Sequence, residues 1–158
     1  MATWRSNTFR SAKDMIEFLN GAIQFPANLN KGLDLDGLTL VIDKDGNGNR
    51  TVTFTPKGSL WSAEEIRTAI EATHADLVGA VSVHQGAVGS LHHGRGQVYL
   101  KLGKNDGSVY TIQTTGTANA LFGLSTSAAT VGTPYTNSEV EVFRNVGDQN
   151  PWIVFTYK

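Results

Sequence analysis

Three histidines within ten positions are the residues whose type and spacing first suggest chemistry. His84, His92 and His93 lie in a glycine-rich stretch, with His74 upstream. Imidazoles suit zinc, copper or nickel, but these four show neither the two-apart spacing of a strand face nor the four-apart spacing of a helix face. The glycines around them indicate a loop or hairpin tip, so we predict solvent-facing or interface histidines. A metal-dependent hydrolase is the minor alternative, and histidines gathered at an oligomer axis would make assembly sensitive to pH.

The segment Asp43–Gly48 resembles the opening of a calcium-binding EF-hand loop, with side-chain oxygens at its first, third and fifth positions and glycine at its sixth. The twelfth position of such a loop is a bidentate glutamate, but here it is Phe54, and the flanks have strand patterns. Aspartate, asparagine and glycine are also the residues that a hairpin loop requires. We therefore predict a hairpin turn, with weak calcium binding as the alternative.

Other residues of types that could act in catalysis or ligand binding do not occur in a recognisable site motif. The stretch His93–Gly96, which includes Arg95, is too short for a phosphate-binding loop. No Gly-x-Ser-x-Gly elbow surrounds a serine, and the acidic residues are scattered over turns and helix starts rather than paired. The three tryptophans, Trp4, Trp61 and Trp152, are well separated and suit core or interface anchors better than a sugar platform. We predict that the protein is not an enzyme and needs no cofactor or metal.

Composition narrows the class of protein further. The chain has 158 residues, 40% hydrophobic and 17% charged, which fits a single folded domain spanning 1–158. A net charge of −1 provides no general attraction for nucleic acid or an anionic membrane, so we expect neither partner. The absence of cysteine excludes disulfides, zinc ribbons and thiol catalysis. We expect no signal peptide, and the longest apolar runs, such as Leu38–Ile42, are too short to cross a bilayer.

The first element predicted from the pattern is a helix over 11–20. Ser11 is a good N-cap, Asp14 completes the cap three residues later, and Gly21 is suited to the helix end. A hairpin then joins 33–42 to 50–55, which alternates apolar and polar residues at period two. A capping box over Ser62–Glu65 begins a second amphipathic helix that we predict to reach 77.

The same order of elements recurs about sixty residues later. After a strand at 80–84, the segments 97–102 and 108–113 predict a second hairpin, turned at 104–107. Thr117 is predicted to cap a short helix that ends at Gly123. The predicted class is therefore α+β, with antiparallel hairpins, two longer helices, one short helix and a degenerate hairpin–helix duplication over 9–123.

Both ends of the chain are predicted to make contacts at subunit interfaces. Residues 1–8, with Trp4 and Arg5, are predicted to form an N-terminal arm, and 124–137 a small-residue loop. A third hairpin over 138–158 pairs 139–144 with 152–157, and its last strand is tied into a sheet or pairs with a neighbouring subunit. The residues predicted to lie at interfaces are Trp4, Arg5, His84, His92, His93, Arg95, Trp152, Phe155 and Tyr157.

Several short segments resemble segments of the structural proteins of tailed bacteriophages. They are Ser11–Asn20, Asp36–Leu40, Thr51–Phe54, Ser62–Ile66 and Thr117–Thr126. The last segment, Thr117–Thr126, contains the Ala-x-x-Leu-Phe-Gly-Leu-Ser order that is common in such virion proteins.

This resemblance implies a non-enzymatic virion component, either a capsid decoration or cement protein or a neck or tail subunit. It also implies a symmetric homo-oligomer, whose partners are copies of itself and other virion proteins, assembled in the host cytoplasm. The alternative from another class is an outward-facing module that binds glycans or a surface, for which the Gly/His loop 84–96 and the tryptophans are the supporting features.

Overall fold

Three antiparallel sheets organise the computed structural model, which describes residues 2–6, 22–86, 92–103, 108–132, 140–144 and 153–157. The predicted helix 11–20, the predicted turn 104–107 and Trp152 lie outside these residues. The strands are β1 (Ala2–Ser6), β2 (Ile23–Gln24), β3 (Thr39–Lys44), β4 (Asn49–Thr53), β5 (Val81–Gln85), β6 (Val98–Leu102), β7 (Val109–Thr115), β8 (Ala129–Gly132), β9 (Val140–Arg144) and β10 (Ile153–Tyr157). The helices are α1 (Ala63–Glu71), a 3-10 helix (Ala75–Leu77) and α2 (Asn119–Phe122). The mixed α and β composition with antiparallel sheets confirms the predicted class.

The first predicted hairpin is confirmed as β3 and β4. Their register runs from Thr39 opposite Thr53 to Asp43 opposite Asn49. Asp45 begins the turn with φ of +55°, a conformation that aspartate tolerates better than most residues. The predicted first strand began too early, because the segment 33–38 contributes only an isolated bridge between Leu33 and Trp61.

The second predicted hairpin is not formed, although both of its strands exist. β6 lies between β2 and β5 in one three-stranded sheet. β7 lies between β3 and β8 in the four-stranded sheet β4-β3-β7-β8. Period-two alternation identifies a strand but not its neighbour, and each of these strands has partners on both sides from elsewhere in the chain. The hairpin–helix duplication is therefore not confirmed.

Helix α1 begins as the sequence predicts. The Ser62 hydroxyl accepts the Glu65 N–H at 3.2 Å, and the Glu65 carboxylate accepts the Ser62 N–H at 2.8 Å. The helix ends at Glu71 rather than 77, because His74 is extended and its Nδ1 accepts the Asp76 N–H, which starts the separate 3-10 helix. Ile66 and Ile70 are fully buried where α1 packs against β4, β5 and β6.

Removing the α1 cap gives a measurable stability change. We expect Ser62→Ala to lower the free energy of unfolding by about 0.5–2 kcal/mol, since the Glu65 N–H loses its acceptor. Urea denaturation measures the change. Ser59→Ala, on an exposed residue in the preceding loop, is the matched control and should stay within about 0.5 kcal/mol of the parent. Equal losses in the two variants would contradict a role for the cap.

Glu65 also makes this helix start sensitive to acid. A hydrogen bond from the Lys57 ammonium, followed by those at Ser62, lowers the pKa of Glu65 from 4.5 to about 2. A folded-state pKa below the unfolded value means that the stabilisation is present above about pH 4.5 and is lost as the pH falls towards 2. We expect the stability difference between the parent and Glu65→Gln to shrink across this window. Urea titrations at a series of pH values measure it, and a constant difference would contradict the assignment.

Helix α2 ends at Gly123 as predicted, with φ of +73°, but Thr117 does not cap it. The Thr117 hydroxyl instead accepts the Thr39 N–H at 2.8 Å, and the Ala118 N–H donates to the Thr39 carbonyl at 2.8 Å. These bonds attach the start of α2 to β3. Within the predicted loop 124–137, the part Ala129–Gly132 is strand β8, and 133–139 lies outside the described residues.

The third sheet joins the two ends of the chain in the order β1-β10-β9. The predicted hairpin of β9 and β10 is confirmed, with Tyr157 opposite Val140. In place of the predicted arm, Ala2–Ser6 is a strand paired along its length with β10. Both sides of β10 are therefore paired within the chain, which differs from the alternative that it adds to a neighbouring subunit.

The core joins the four-stranded sheet to α1 and α2 through an aromatic cluster. Phe122 contacts Phe25 edge-on at 5.1 Å between ring centroids and Phe54 at 6.1 Å. Phe54 in turn meets the Trp61 ring at 5.2 Å. In the part of the chain that the structure describes, no helix is long and apolar enough to cross a membrane.

Candidate functional site

The outer face of the four-stranded sheet is a regular surface built from the described strands β4, β3, β7 and β8. Leu40, Ile42 and Val52 face the core, so the alternate residues of the same strands face outward. The register aligns Thr51, Val41 and Thr115 in one row across three strands. The positions on this outer face are Thr39, Val41, Asp43, Asn49, Thr51, Thr53, Val109, Thr111, Gln113, Thr115, Thr130 and Gly132.

This outer face is almost free of charge. Among the described residues, Asp43 is the only ionisable one on this face, and one oxygen of its carboxylate is buried. Val109 is 56% exposed at one end of the face, and threonines supply most of the remaining side chains. Depletion of charged residues is the compositional signal of a protein interface, since apolar content alone does not distinguish interfaces from other surface. The face is therefore chemically suited to close contact with another protein surface.

A second candidate is the cluster of histidines around Tyr99, which is 3% exposed. His84 lies opposite Tyr99 in the β5–β6 register and stacks on it at 5.6 Å between ring centroids. His93 stacks nearly parallel to the same ring at 4.1 Å, and His92 meets His93 edge-on at 6.4 Å. The structure thus brings two predicted interface residues, His84 and His93, onto one tyrosine ring, a contact that sequence spacing does not indicate.

Hydrogen bonds hold these histidines in place. The His93 Nε2 lies 3.3 Å from the Ala27 carbonyl, which ties the β5–β6 connection to the segment before β3. The His84 Nε2 lies 2.7 Å from the Ser82 hydroxyl, two residues away on the same side of β5. A serine beside an imidazole is the nucleophile–base element of some hydrolases, but that chemistry also requires a positioned oxyanion site. Among the described residues, no group of three or more histidines and carboxylates is arranged to hold a metal ion.

The two described ends of the connection between β5 and β6 lie close together. The Gly86 N–H donates to the Gln97 carbonyl at 2.7 Å, and the Gly96 N–H donates back to Gly86. A Cβ at Gly86 would lie 1.9 Å from the Gly94 carbonyl oxygen, so only glycine fits. His92 and Arg95 are exposed outside any strand, as the glycine content of this segment predicts. Their role as interface residues stays a prediction.

The segment that resembles a calcium loop is the β3–β4 turn. The Asp45 carboxylate accepts the Thr111 N–H at 2.7 Å, which attaches the turn to β7. Asp43 Oδ1 is buried without a hydrogen-bond partner among the described residues. A calcium ion takes roughly six to eight oxygen ligands, and one of the two carboxylates here is already committed to the backbone. The hairpin-turn interpretation is confirmed.

A shallow groove of about 340 Å³ runs beside Trp61 and α1. Its lining residues are Trp61, Glu64, Glu65, Thr68, Ala69 and Ala72.

Asp36 holds Trp61 in position at this groove. One Asp36 oxygen accepts the indole N–H at 3.0 Å, and the other accepts the Lys57 and Gly58 N–H groups. The Trp61 hydrogen bond is the main cause that lowers the pKa of Asp36. The Lys57 ammonium lies 4.7 Å from the Trp61 ring centroid and 2.8 Å from Glu65. Sequence reasoning missed this role, although the Asp36-Gly37 pair marks the turn in which the aspartate sits.

An ion pair that the sequence did not indicate joins β4 to the 3-10 helix. Arg50 contacts Asp76 at 2.8 Å, and His74 Nδ1 contacts the other oxygen of Asp76 at 2.7 Å. Burial raises the pKa of Asp76, but the hydrogen bond from Arg50 and the close contact with the His74 ring outweigh it and lower the pKa overall. His74 thus helps to attach β4 to the 3-10 helix.

Four further predicted interface residues, Trp4, Arg5, Phe155 and Tyr157, lie on the terminal sheet. Trp4 is opposite Phe155, and Tyr157 lies two positions further along β10, so these three positions share one face. Arg5 lies opposite Val154 on the other face.

No family model matches this chain, and no curated protein or solved structure matches it either.

Proposed function

We propose that this protein is a non-enzymatic structural component of a tailed-bacteriophage virion. It assembles as a symmetric homo-oligomer on the capsid, as a decoration or cement protein, or in the neck or tail. The phage assignment rests on the segment resemblance. The assembly role rests on one structural observation, the outer face of the four-stranded sheet, which is almost free of charge.

A low desolvation cost favours assembly through this face. A charged side chain must lose its water when it enters an interface, and that cost is recovered only with a well-placed partner. Removing water from a threonine hydroxyl costs less free energy than removing it from a charged group. The hydroxyl can also hydrogen-bond to a partner or to a bridging water. A face that exposes Val109 beside rows of threonines therefore docks at a lower desolvation cost than a charged sheet face of the same size.

Light scattering coupled to gel filtration tests the assembly. We expect a particle mass that is a multiple of 17.0 kDa. Thr51→Arg places a charge on the outer face, at the exposed centre of the edge strand β4, and should shift the protein towards monomer. Ser59→Arg adds the same charge on an exposed loop away from this face and should leave the mass unchanged. A parent protein that is monomeric at high concentration would overturn the assembly proposal.

Location in the particle is tested separately. The protein should co-sediment with purified virions and be labelled by antibody at one set of symmetric positions. Its absence from particles, with the oligomer intact, would overturn the virion assignment and leave the assembly.

The groove beside Trp61 favours one alternative, a module that binds glycans. An aromatic ring next to the Glu64 and Glu65 carboxylates offers stacking and hydrogen-bond acceptors to a sugar. Glycan-array binding that is lost in Trp61→Ala, while the particle mass is kept, would favour this alternative over assembly alone.

A further inference from the structure

The tip of the β3–β4 hairpin carries an asparagine–glycine pair in an open setting. Asn47 and Gly48 are both exposed, and Gly48 has φ of +103°. A Cβ placed on Gly48 would meet nothing within 4 Å. The Asn47 N–H donates to the Lys44 carbonyl at 3.0 Å, which fixes the turn behind the side chain. In the part of the chain that the structure describes, neither the Asn47 amide nor the Gly48 N–H has a hydrogen-bond partner.

An asparagine in this setting can react with its own backbone. The nitrogen of residue 48 attacks the side-chain carbonyl carbon of Asn47, a new C–N bond closes a five-membered succinimide, and ammonia leaves. Water then opens the ring at either carbonyl, which produces aspartate or isoaspartate. The reaction needs an unbonded N–H, a mobile side chain and a following residue without a Cβ, and glycine meets the last requirement. Water is the only co-reactant.

Two nearby Asp-Gly pairs could form the same succinimide, but the fold restrains both. The Asp36 carboxylate accepts three hydrogen bonds, and the Gly37 N–H donates to Phe54 at 2.8 Å. The Asp45 carboxylate accepts the Thr111 N–H at 2.7 Å. Asn47 differs from both because its side chain is not anchored.

We propose that Asn47 is a site of spontaneous deamidation in the folded protein. The product carries a new carboxylate in the turn that already holds Asp43 and Asp45, two residues from Asn49 on the outer face. Deamidation therefore adds a negative charge at the border of a face that carries few charges, and the isoaspartate product also lengthens the backbone of the turn. The modification itself does not depend on the proposed assembly.

Peptide mapping by mass spectrometry after incubation of the full chain at pH 8 and 37 °C tests this proposal. Each conversion raises the peptide mass by about 1 Da, and fragmentation assigns it to a residue. We expect Asn47 to react faster than the other described asparagines that glycine does not follow, which are Asn28, Asn30, Asn49 and Asn119. A rate at Asn47 no higher than theirs would overturn the proposal. The second Asn-Gly pair, Asn20-Gly21, lies outside the described residues and is mapped as a separate peptide.

Two further measurements show how the deamidation rate depends on Gly48 and on the folded conformation of the turn. Gly48→Ala should slow the reaction about tenfold, because the added Cβ hinders closure of the ring. The rate in the folded parent should also be close to its rate in urea, since the turn does not protect Asn47. A folded-state rate far below the unfolded one would overturn the proposal, whether or not Gly48→Ala folds normally.

Discussion

Replacing Phe122 with alanine is expected to lower the free energy of unfolding by about 3–5 kcal/mol. Phe122 is 0% exposed and lies between Phe25 and Phe54, with ring centroids 5.1 and 6.1 Å away. Its carbonyl also accepts the Ala27 N–H at 3.1 Å, so α2 and the segment before β3 depend on the same residue. Removal of the ring leaves a cavity among aromatic side chains that cannot all move inward. Urea or thermal denaturation measures the loss.

Leu121 provides the matched control on the same helix. It is 47% exposed, and Leu121→Ala should change stability by about 0.5 kcal/mol or less. If Phe122→Ala lost less than about 1 kcal/mol, the aromatic cluster would not be a main source of stability.

Gly116→Ala is expected to cost about 2–5 kcal/mol, from two separate causes. Gly116 has φ of +103°, which strains any residue with a side chain. An added Cβ would also lie 2.5 Å from the Thr39 carbonyl oxygen, the acceptor of the Ala118 N–H. The substitution therefore strains the backbone and displaces the hydrogen bond that joins α2 to β3.

Gly48→Ala separates the two causes of that loss. Gly48 has the same φ of +103°, but a Cβ there meets nothing within 4 Å. We expect its loss to be only the strain cost, about 1–2 kcal/mol. Denaturation of both variants under one condition gives the contact cost by difference. Equal losses at the two glycines would show that the contact with Thr39 relaxes freely.

Features set by neighbouring residues were predictable from the sequence. The β3–β4 hairpin depends on alternation and on a turn rich in aspartate, asparagine and glycine, and the structure has both strands in register. The capping box at Ser62 and the left-handed Gly123 are also local signals, and both are confirmed.

Features set by distant residues were not predictable. The pattern of β6 and β7 predicts two strands with a turn between them, which is also the pattern of a hairpin. Their division between two sheets depends on competition from β2, β3, β5 and β8 for the same edges. Thr117 has the residue type of a helix cap, but it bonds to Thr39, far away in the sequence.

The candidate surfaces also combine features set by neighbouring residues, which were predictable, with features set by distant residues, which were not. The outward residues of β3 and of β7 can each be inferred from alternation within one strand. Their union into one face requires the β3–β7 pairing, which the alternation within each strand does not indicate. The contacts of His84 and His93 with Tyr99 likewise bring together side chains whose spacing in sequence gave no signal.

The β3–β7 pairing also determines the order in which the protein can fold. β3 and β4 leave the ribosome together and can form their hairpin at once, whereas β7 and β8 are synthesised much later. Until β7 has been synthesised, the edge of β3 that pairs with it is open, and the apolar residues Leu40 and Ile42 lie next to that edge. Closing so long a loop costs entropy before any contact repays it, which slows folding. The nascent hairpin therefore has a free strand edge beside apolar residues, and early pairing between chains is its main hazard during synthesis.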